Sequence, residues 1–392
     1  SPDSRWGLFP SFSAGWRISE EEFMKDIDWL RNLKLRASWG KLGNNSIGNY
    51  EWQALYGSGY NYAFNSNKSN GLAMTTFSNY ALEWEETAIT NIGLDFGVLN
   101  NRLNGTIEVY DKKTDGILYR PTLPESLNQF TSPLQNLAGV NNKGLEITLG
   151  WNDRVGDISY SVSGNFTYNK NKVTKYKGEL VREWRTDANG NKVWYQNVGT
   201  VANGSSNLIV EGHEMNEYYM MNPYKGNGSY FNSDGTVNIN GGPKDGMIRT
   251  EADMKWLQAM FDAGYKFYPN QAIGKDKIWY GDMIYADYNG DGIYGNDDDR
   301  DFQGVSWRPK YYFGLQASMT WKGFDLSMNW AGAAGFKIDY YKQTQNSVSV
   351  THGYGLGYDI AYDHYFFDPE NPNDPRTNIY SETPRLVGYQ NS

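Results

Sequence analysis

Apolar and polar residues alternate strictly through one segment of this chain after another. In Leu33–Gly40, Leu33, Leu35, Ala37 and Trp39 fall on one side, and Lys34, Arg36, Ser38 and Gly40 on the other. Successive side chains of a strand point to opposite faces, so such a segment has one greasy face and one wet face. The same alternation recurs in Pro10–Ile18, Thr90–Val98, Arg102–Asp111, Gly144–Trp151, Ile158–Tyr168, Tyr311–Trp321 and Phe324–Trp330. It is cleanest in Ile158–Tyr168, where Ile158, Tyr160, Val162, Phe166 and Tyr168 oppose Ser159, Ser161, Ser163, Asn165 and Thr167. The expected fold class is all-β and antiparallel, with one strand for each of these segments.

Two architectures use strands of this kind. A soluble sandwich turns the greasy faces inward, whereas a transmembrane barrel turns them outward to lipid and keeps the polar faces in its lumen. Only 39% of the 392 residues are hydrophobic, and no apolar run reaches the roughly 18 residues a membrane helix needs. Aromatics nevertheless make up 16%, including 31 Tyr and 14 Trp, which suits strands and the aromatic belts of membrane interfaces. A net charge of −9 argues against a nucleic-acid partner, and the absence of Cys removes disulfides and thiolate metal sites.

The connections separate the two architectures further. Asn100-Asn101, Asp153–Asp157 and Lys322-Gly323 read as tight turns, while Lys41–Ile89, Lys112–Lys143 and Asn169–Lys310 are long polar stretches. Short turns at one end and long loops at the other are expected of an outer-membrane barrel, with 169–310 as a long extracellular loop region. Trp16, Trp39, Trp151, Trp321 and Trp330 sit on the greasy face at or near strand ends, where interfacial aromatics belong. On the short-turn side, Ser19–Asn32 predicts a short periplasmic helix. Ser19 is its cap, Glu22 completes a capping box, and Phe23, Ile27 and Leu30 share a face. A second helix is expected in the longest loop, capped by Thr250 and closed by Gly264.

Asp287-Tyr288-Asn289-Gly290-Asp291-Gly292 fits the D-x-N-x-D-G opening of a calcium loop. Oxygens of Asp287, Asn289 and Asp291, the Ile293 carbonyl and Asp298 near position 12 would supply the metal shell. An Asx/Gly turn without metal is the alternative, and a calcium ion here would be structural. Trp184, Trp194, Tyr195, Tyr218, Tyr219 and Trp279 are loop aromatics of the kind that stack on sugars, and equally of the kind that pack a loop. His213, His352 and His364 are scattered, with no nucleophile spacing around them. Glu20-Glu21-Glu22 and Asp297-Asp298-Asp299 read as a helix start and a solvated turn, so no catalytic site is expected.

GLFPSFSAGWRISEEEF (Gly7–Phe23), LKLRASWGKLGNN (Leu33–Asn45), LEWEETAITNIGLDFGVLNNRL (Leu82–Leu103), NKGLEITLGW (Asn142–Trp151) and YADYNGDG (Tyr285–Gly292) together resemble the SusC/RagA family of TonB-dependent outer-membrane transporters of Bacteroidota. The resemblance implies an antiparallel barrel of about twenty-two strands around an N-terminal plug. It further implies import energised through TonB, a SusD-like lipoprotein lid, and oligosaccharide cargo, with peptides as the alternative class. The family's Asp-Arg ending of the calcium-like loop selects Asp299, before Arg300, in place of Asp298. Against the family pattern the chain is expected to be a portion of the barrel lacking the plug, the TonB box and the closing strands. A soluble calcium-dependent glycan-binding sandwich and a passive porin remain the competing readings of the residues alone.

Overall fold

The computed structural model describes residues 4–64, 67–121, 130–338 and 358–386; His352 lies outside them. The chain enters through β1 (Ser11–Arg17), β2 (Leu30–Asn44) and β3 (Glu85–Val98). It continues through β4 (Leu103–Tyr119), β5 (Gln135–Val155) and β6 (Ile158–Lys175). A long excursion follows, containing β7 (Arg182–Thr186), β8 (Lys192–Gln196), β9 (Glu217–Met221), α1 (Glu251–Asp262) and β10 (Arg300–Ser306). It returns through β11 (Tyr311–Trp321) and β12 (Phe324–Ala334). Eight strands form one sheet in the order β1-β2-β3-β4-β5-β6-β11-β12, every neighbouring pair antiparallel.

Register carries the alternation across the whole sheet. Leu35 pairs with Leu94, Leu94 with Ile107, Ile107 with Ile147, Ile147 with Phe166, and Phe166 with Phe313. On the opposite face Asp95 pairs with Thr106, Thr106 with Thr148, and Thr148 with Asn165. A slip of one residue at any seam would put the greasy set of one strand beside the polar set of the next.

Nothing packs over the apolar face among the described residues. Phe313 is 49% exposed, Trp330 51% and Phe324 71%, and neither Leu94 nor Ile147 is buried. A soluble sandwich would cover these side chains, at about 25 cal/mol for each Å² of apolar surface removed from water. Most of the fully buried side chains, among them Trp256, Leu257, Met260, Phe267, Ile284 and Val210, belong instead to the excursion between β6 and β11. Aromatics rim the sheet at both ends. Trp321 stacks on Phe324 at the short-turn end, and Tyr168 on Tyr311 at the other. Trp330 departs from the strand-end expectation; it faces Leu315 in mid-strand.

The tight turns form where left-handed backbone is needed. Leu99, Asn100 and Asn101 all have positive φ between β3 and β4, and Lys322 and Gly323 do so between β11 and β12. Strands are longer than the alternating segments predict, reaching 21 residues in β5. The added length lies toward the long loops, where Lys112-Lys113, Asn141-Asn142-Lys143 and Lys170-Asn171-Lys172 make both faces polar. A strand leaving the hydrocarbon no longer needs an apolar face, so periodicity stops before pairing does.

The helix expected over Ser19–Asn32 does not form. Two single 3-10 turns, Ile18–Glu20 and Glu22–Met24, stand there without side-chain caps, Phe23 is 67% exposed, and β2 already begins at Leu30. A helix this short is marginal without tertiary packing, and this one has no surface on which to bury Phe23. The second helix does form. Thr250 caps α1 in a reciprocal box with Asp253, Gly264 follows at φ 93°, and Trp256, Leu257 and Met260 are completely buried.

Candidate functional site: a polar wall and its loop cap

The polar face of the sheet is organised around one cation. Arg36 on β2 reaches Asp95 on β3, Nε to Oδ2 at 3.2 Å, and Glu108 on β4, Nη2 to Oε2 at 2.6 Å. Thr106 donates to Asp95 at 3.1 Å, and Asn91 donates to the other oxygen of Glu108. Three strands are thereby stitched on the wet face by a guanidinium shared between two carboxylates. Further along the wall, Ser161 and Ser318 are 2.6 Å apart and Thr320 donates to Asp325 at 2.8 Å. Alternation alone puts Arg36, Asp95 and Glu108 each on the polar side of its own strand. Their convergence depends on register, which alternation alone leaves free.

Above the wall, the excursion between β6 and β11 folds into a cap with its own core. Tyr224, Ile248, Trp256, Leu257, Met260, Phe267, Ile278, Ile284 and Tyr294 pack together there. A latch ties the cap to the strand ends. Glu217 on β9 accepts from the Gly304 N–H at 2.6 Å and meets His213 Nδ1 at 3.1 Å, while Glu214 pairs with Lys310 at 2.8 Å. The His213 ring stacks on Phe302 of β10 at 3.6 Å, and its carbonyl accepts the Val173 N–H of β6. Burial raises the Glu217 carboxyl, but the bonds and charge from His213 and the N–H groups of Gly304 and Glu214 outweigh it and hold the group below its usual range.

The calcium-like loop is a compact turn. Asp287 accepts from the N–H groups of Gly290, Asp291 and Gly292, and Asp291 from that of Ile293. Asn289 accepts from Asp291, and Asp299 receives N–H bonds from Tyr288, Gly295 and Asn296. The Asp298 carboxylate accepts from the Gln196 side chain on β8. The Asn296 cap rotates the short 3-10 turn so that Asp299, only 1% exposed, is the residue that faces inward. Burial pushes the Asp299 carboxyl up to about 6, with the charge of Asp287 adding to the rise against the three N–H donors. Among the described residues, no three Asp, Glu or His side chains are gathered so as to hold a metal.

The candidate cargo aromatics divide into two sets. Tyr218 and Tyr219 are buried and structural, and Trp279 packs edge-on against Tyr280. Trp184 and Tyr195 are exposed on the β7–β8 hairpin. Trp184 donates to the Asn289 carbonyl at 2.8 Å, and Trp194 meets Tyr288 edge-on, so the hairpin docks on the Asp287–Asp299 loop. The Arg182 guanidinium lies 4.1 Å from the Tyr288 ring and pairs with Asp301. His213 is a latch residue, and His364 Nδ1 bonds the Ile360 carbonyl.

Residues 1–207, which include β1 to β8, match the family model for TonB dependent receptor-like β-barrels. The chain belongs to that family. It is 36% identical over 215 residues to TonB-dependent receptor SusC of Bacteroides thetaiotaomicron, covering 52% of this chain and 21% of that protein. It is 35% identical over 243 residues to TonB-dependent receptor P39 of Formosa agariphila, covering 58% of this chain and 23% of that protein. The chain therefore spans about a fifth of the length of these curated relatives. Among solved structures, the RagAB peptide transporter shares the fold, with a TM-score of 0.66 at 20% identity over 100% of this chain and 35% of that one. In this SusC/RagA-like receptor the eight-stranded sheet is a portion of an outer-membrane barrel wall. Its apolar face meets lipid and its polar face lines the lumen.

Proposed function

We propose that the chain supplies wall and extracellular cap to an importer that takes up oligosaccharides, energised through TonB and closed by a SusD-like lipoprotein. The observation that carries this reading is the unbroken polar face across eight strands, backed by an exposed apolar face and topped by a folded cap. A wet wall behind a structured cap suits a gated conduit better than an open pore. Exposed Trp184 and Tyr195 on the cap suit sugar rings, which stack on aromatic faces. Family membership supports the link to TonB, and the likeness to SusC supports the lipoprotein partner.

The test is uptake in the source organism. Deleting the gene, its TonB, or the adjacent lid lipoprotein should each abolish growth on one glycan while leaving growth on its monosaccharide intact. Growth unaffected by loss of TonB would end the energised-import reading. Peptide import is the second reading, and retention of glycan growth with loss of peptide uptake would select it.

Cation binding by the Asp287–Asp299 loop is a separate proposal. It is supported by the like charges of Asp287 and Asp299 acting on one another and by the Asn289, Asp291 and Ile293 oxygens that the D-x-N-x-D-G pattern offers as further donors. Asp299 takes the place of Asp298 in that set. Calcium should raise the melting temperature of the receptor, and Asp287→Asn should remove the rise; a melting temperature indifferent to calcium would dismiss it.

A further inference from the structure

Beside β9 and β10 the cap opens into two adjoining cavities of about 660 Å³ and about 630 Å³. Each volume lies within the range of small-molecule sites. Tyr219, Asp297 and Arg300 line both, so the two form one groove crossed by the Arg300–Asp297 ion pair, 2.9 Å from Nη2 to Oδ1. One chamber is walled by Tyr268 and Met220, the other by Gly199, Gly204 and Ser205. The first offers a platform and the second offers room.

Three observations converge on one kind of ligand. Tyr268 is 43% exposed and Met220 45%, large side chains left open at the rim of a polar cleft. A tyrosine face in that position suits the C–H face of a sugar ring. The charged groups lining the groove are Asp297, Asp298, Arg300 and Lys177, two of each sign. Each is already engaged: Arg300 with Asp297, Asp298 with Gln196, and Lys177 with the Tyr119 and Tyr176 rings. The four charges sum to zero, so a charged cargo gains no net attraction from the lining. The guanidinium and carboxylate side by side present a donor next to an acceptor, the arrangement that vicinal ring hydroxyls satisfy by accepting from one and donating to the other.

We propose that this groove is a cargo subsite for a neutral oligosaccharide. At least one sugar ring lies in each chamber, Tyr268 is the stacking platform, and the Arg300–Asp297 pair holds hydroxyls at the divide. The proposal deepens the importer reading and rests on it.

The experiment is calorimetric binding to the full-length receptor in detergent. The probes are maltohexaose, laminarihexaose and xylohexaose, with hexagalacturonate and a tryptic peptide mixture as charged counterparts. Tyr268→Ala should weaken the neutral probe that the unaltered receptor binds by about tenfold or more. Asp297→Asn should weaken it as well; its side chain is 85% exposed, so the variant keeps its fold. Hexagalacturonate and peptides should not bind at this site. If the receptor binds a neutral probe and both variants bind it equally well, the subsite is wrong while glycan import stands. If it binds hexagalacturonate and no neutral probe, the neutral subsite falls while glycan import stands; if it binds only peptides, or no glycan at all, the subsite and the oligosaccharide reading both fall.

Discussion

Gly93 lies directly beneath the guanidinium of Arg36: a Cβ on Gly93 would stand 2.7 Å from Arg36 Cζ. Gly93 pairs with both Arg36 and Glu108 in register, so its missing side chain opens the slot through which Arg36 crosses β3 to reach β4. Gly93→Val should push Arg36 off Glu108 and destabilise the wall by about 1–3 kcal/mol, the usual cost of overpacking. Denaturant unfolding of the full-length receptor in micelles reads this, and Arg36→Ala in the Gly93→Val background should add less than it does alone. Additive effects would show that the two residues are not coupled.

Orientation of the sheet makes a second prediction. Leu94→Arg or Ile147→Arg should each cost about 2–4 kcal/mol, because a cation is placed against mid-bilayer hydrocarbon. Ser163→Arg, on the lumen side, should fold normally. Equal tolerance of all three in a refolding assay would contradict the lipid-facing assignment.

The latch predicts a pH dependence whose sign follows from Glu217. Its carboxyl is lowered in the folded cap, so it contributes stability above its unfolded value of 4.5 that disappears as pH falls through the folded value. Hydrogen exchange of the Gly304 and Val173 amides should accelerate as pH drops from about 5 to 3, after correction for intrinsic rates. Glu217→Gln should flatten that acid limb. Unchanged acid sensitivity in the variant would remove Glu217 from the latch.

Asp298 and Asp299 are neighbours with opposite expectations. Asp299→Ala strands three N–H donors, that of Gly295 buried and the other two part-buried, and should destabilise the cap by about 3 kcal/mol, whereas Asp298→Ala loses one partly exposed bond and should cost under about 1 kcal/mol. Thermal melts of the two variants decide, and the reverse order would mean that Asp298 closes the loop.

How much of this was legible in the residues depends on which solvent each segment meets. Across the hydrocarbon, lipid outside and water inside impose a period of two, so all eight strands could be read from the sequence. Past the hydrocarbon both faces are wet, and the extension of β4 through Lys112, Lys113 and Thr114 carries no periodic signal although it pairs with β5. Phe23, Ile27 and Leu30 mimic a helical face that has nothing to pack against, so no helix holds there. In the Asp287 loop the turn itself was legible, because its glycines and Asx residues act locally. The inward residue was not, because the Asn296 cap decides it. The groove was hidden, since Met220, Tyr268 and Arg300 come together only through the pairing of β9 with β10 and the packing behind it.

One face of the sheet meets lipid and the other water, and a chain without cysteine makes that assignment directly measurable. Single cysteines at Phe313, Leu315, Gln316 and Ser318, spin-labelled in the receptor reconstituted in bilayers, report collisions with lipid-soluble oxygen and with a water-soluble nickel chelate. The prediction is that labels at Phe313 and Leu315 collide with oxygen and those at Gln316 and Ser318 with nickel. The opposite assignment, or no alternation along β11, would contradict it.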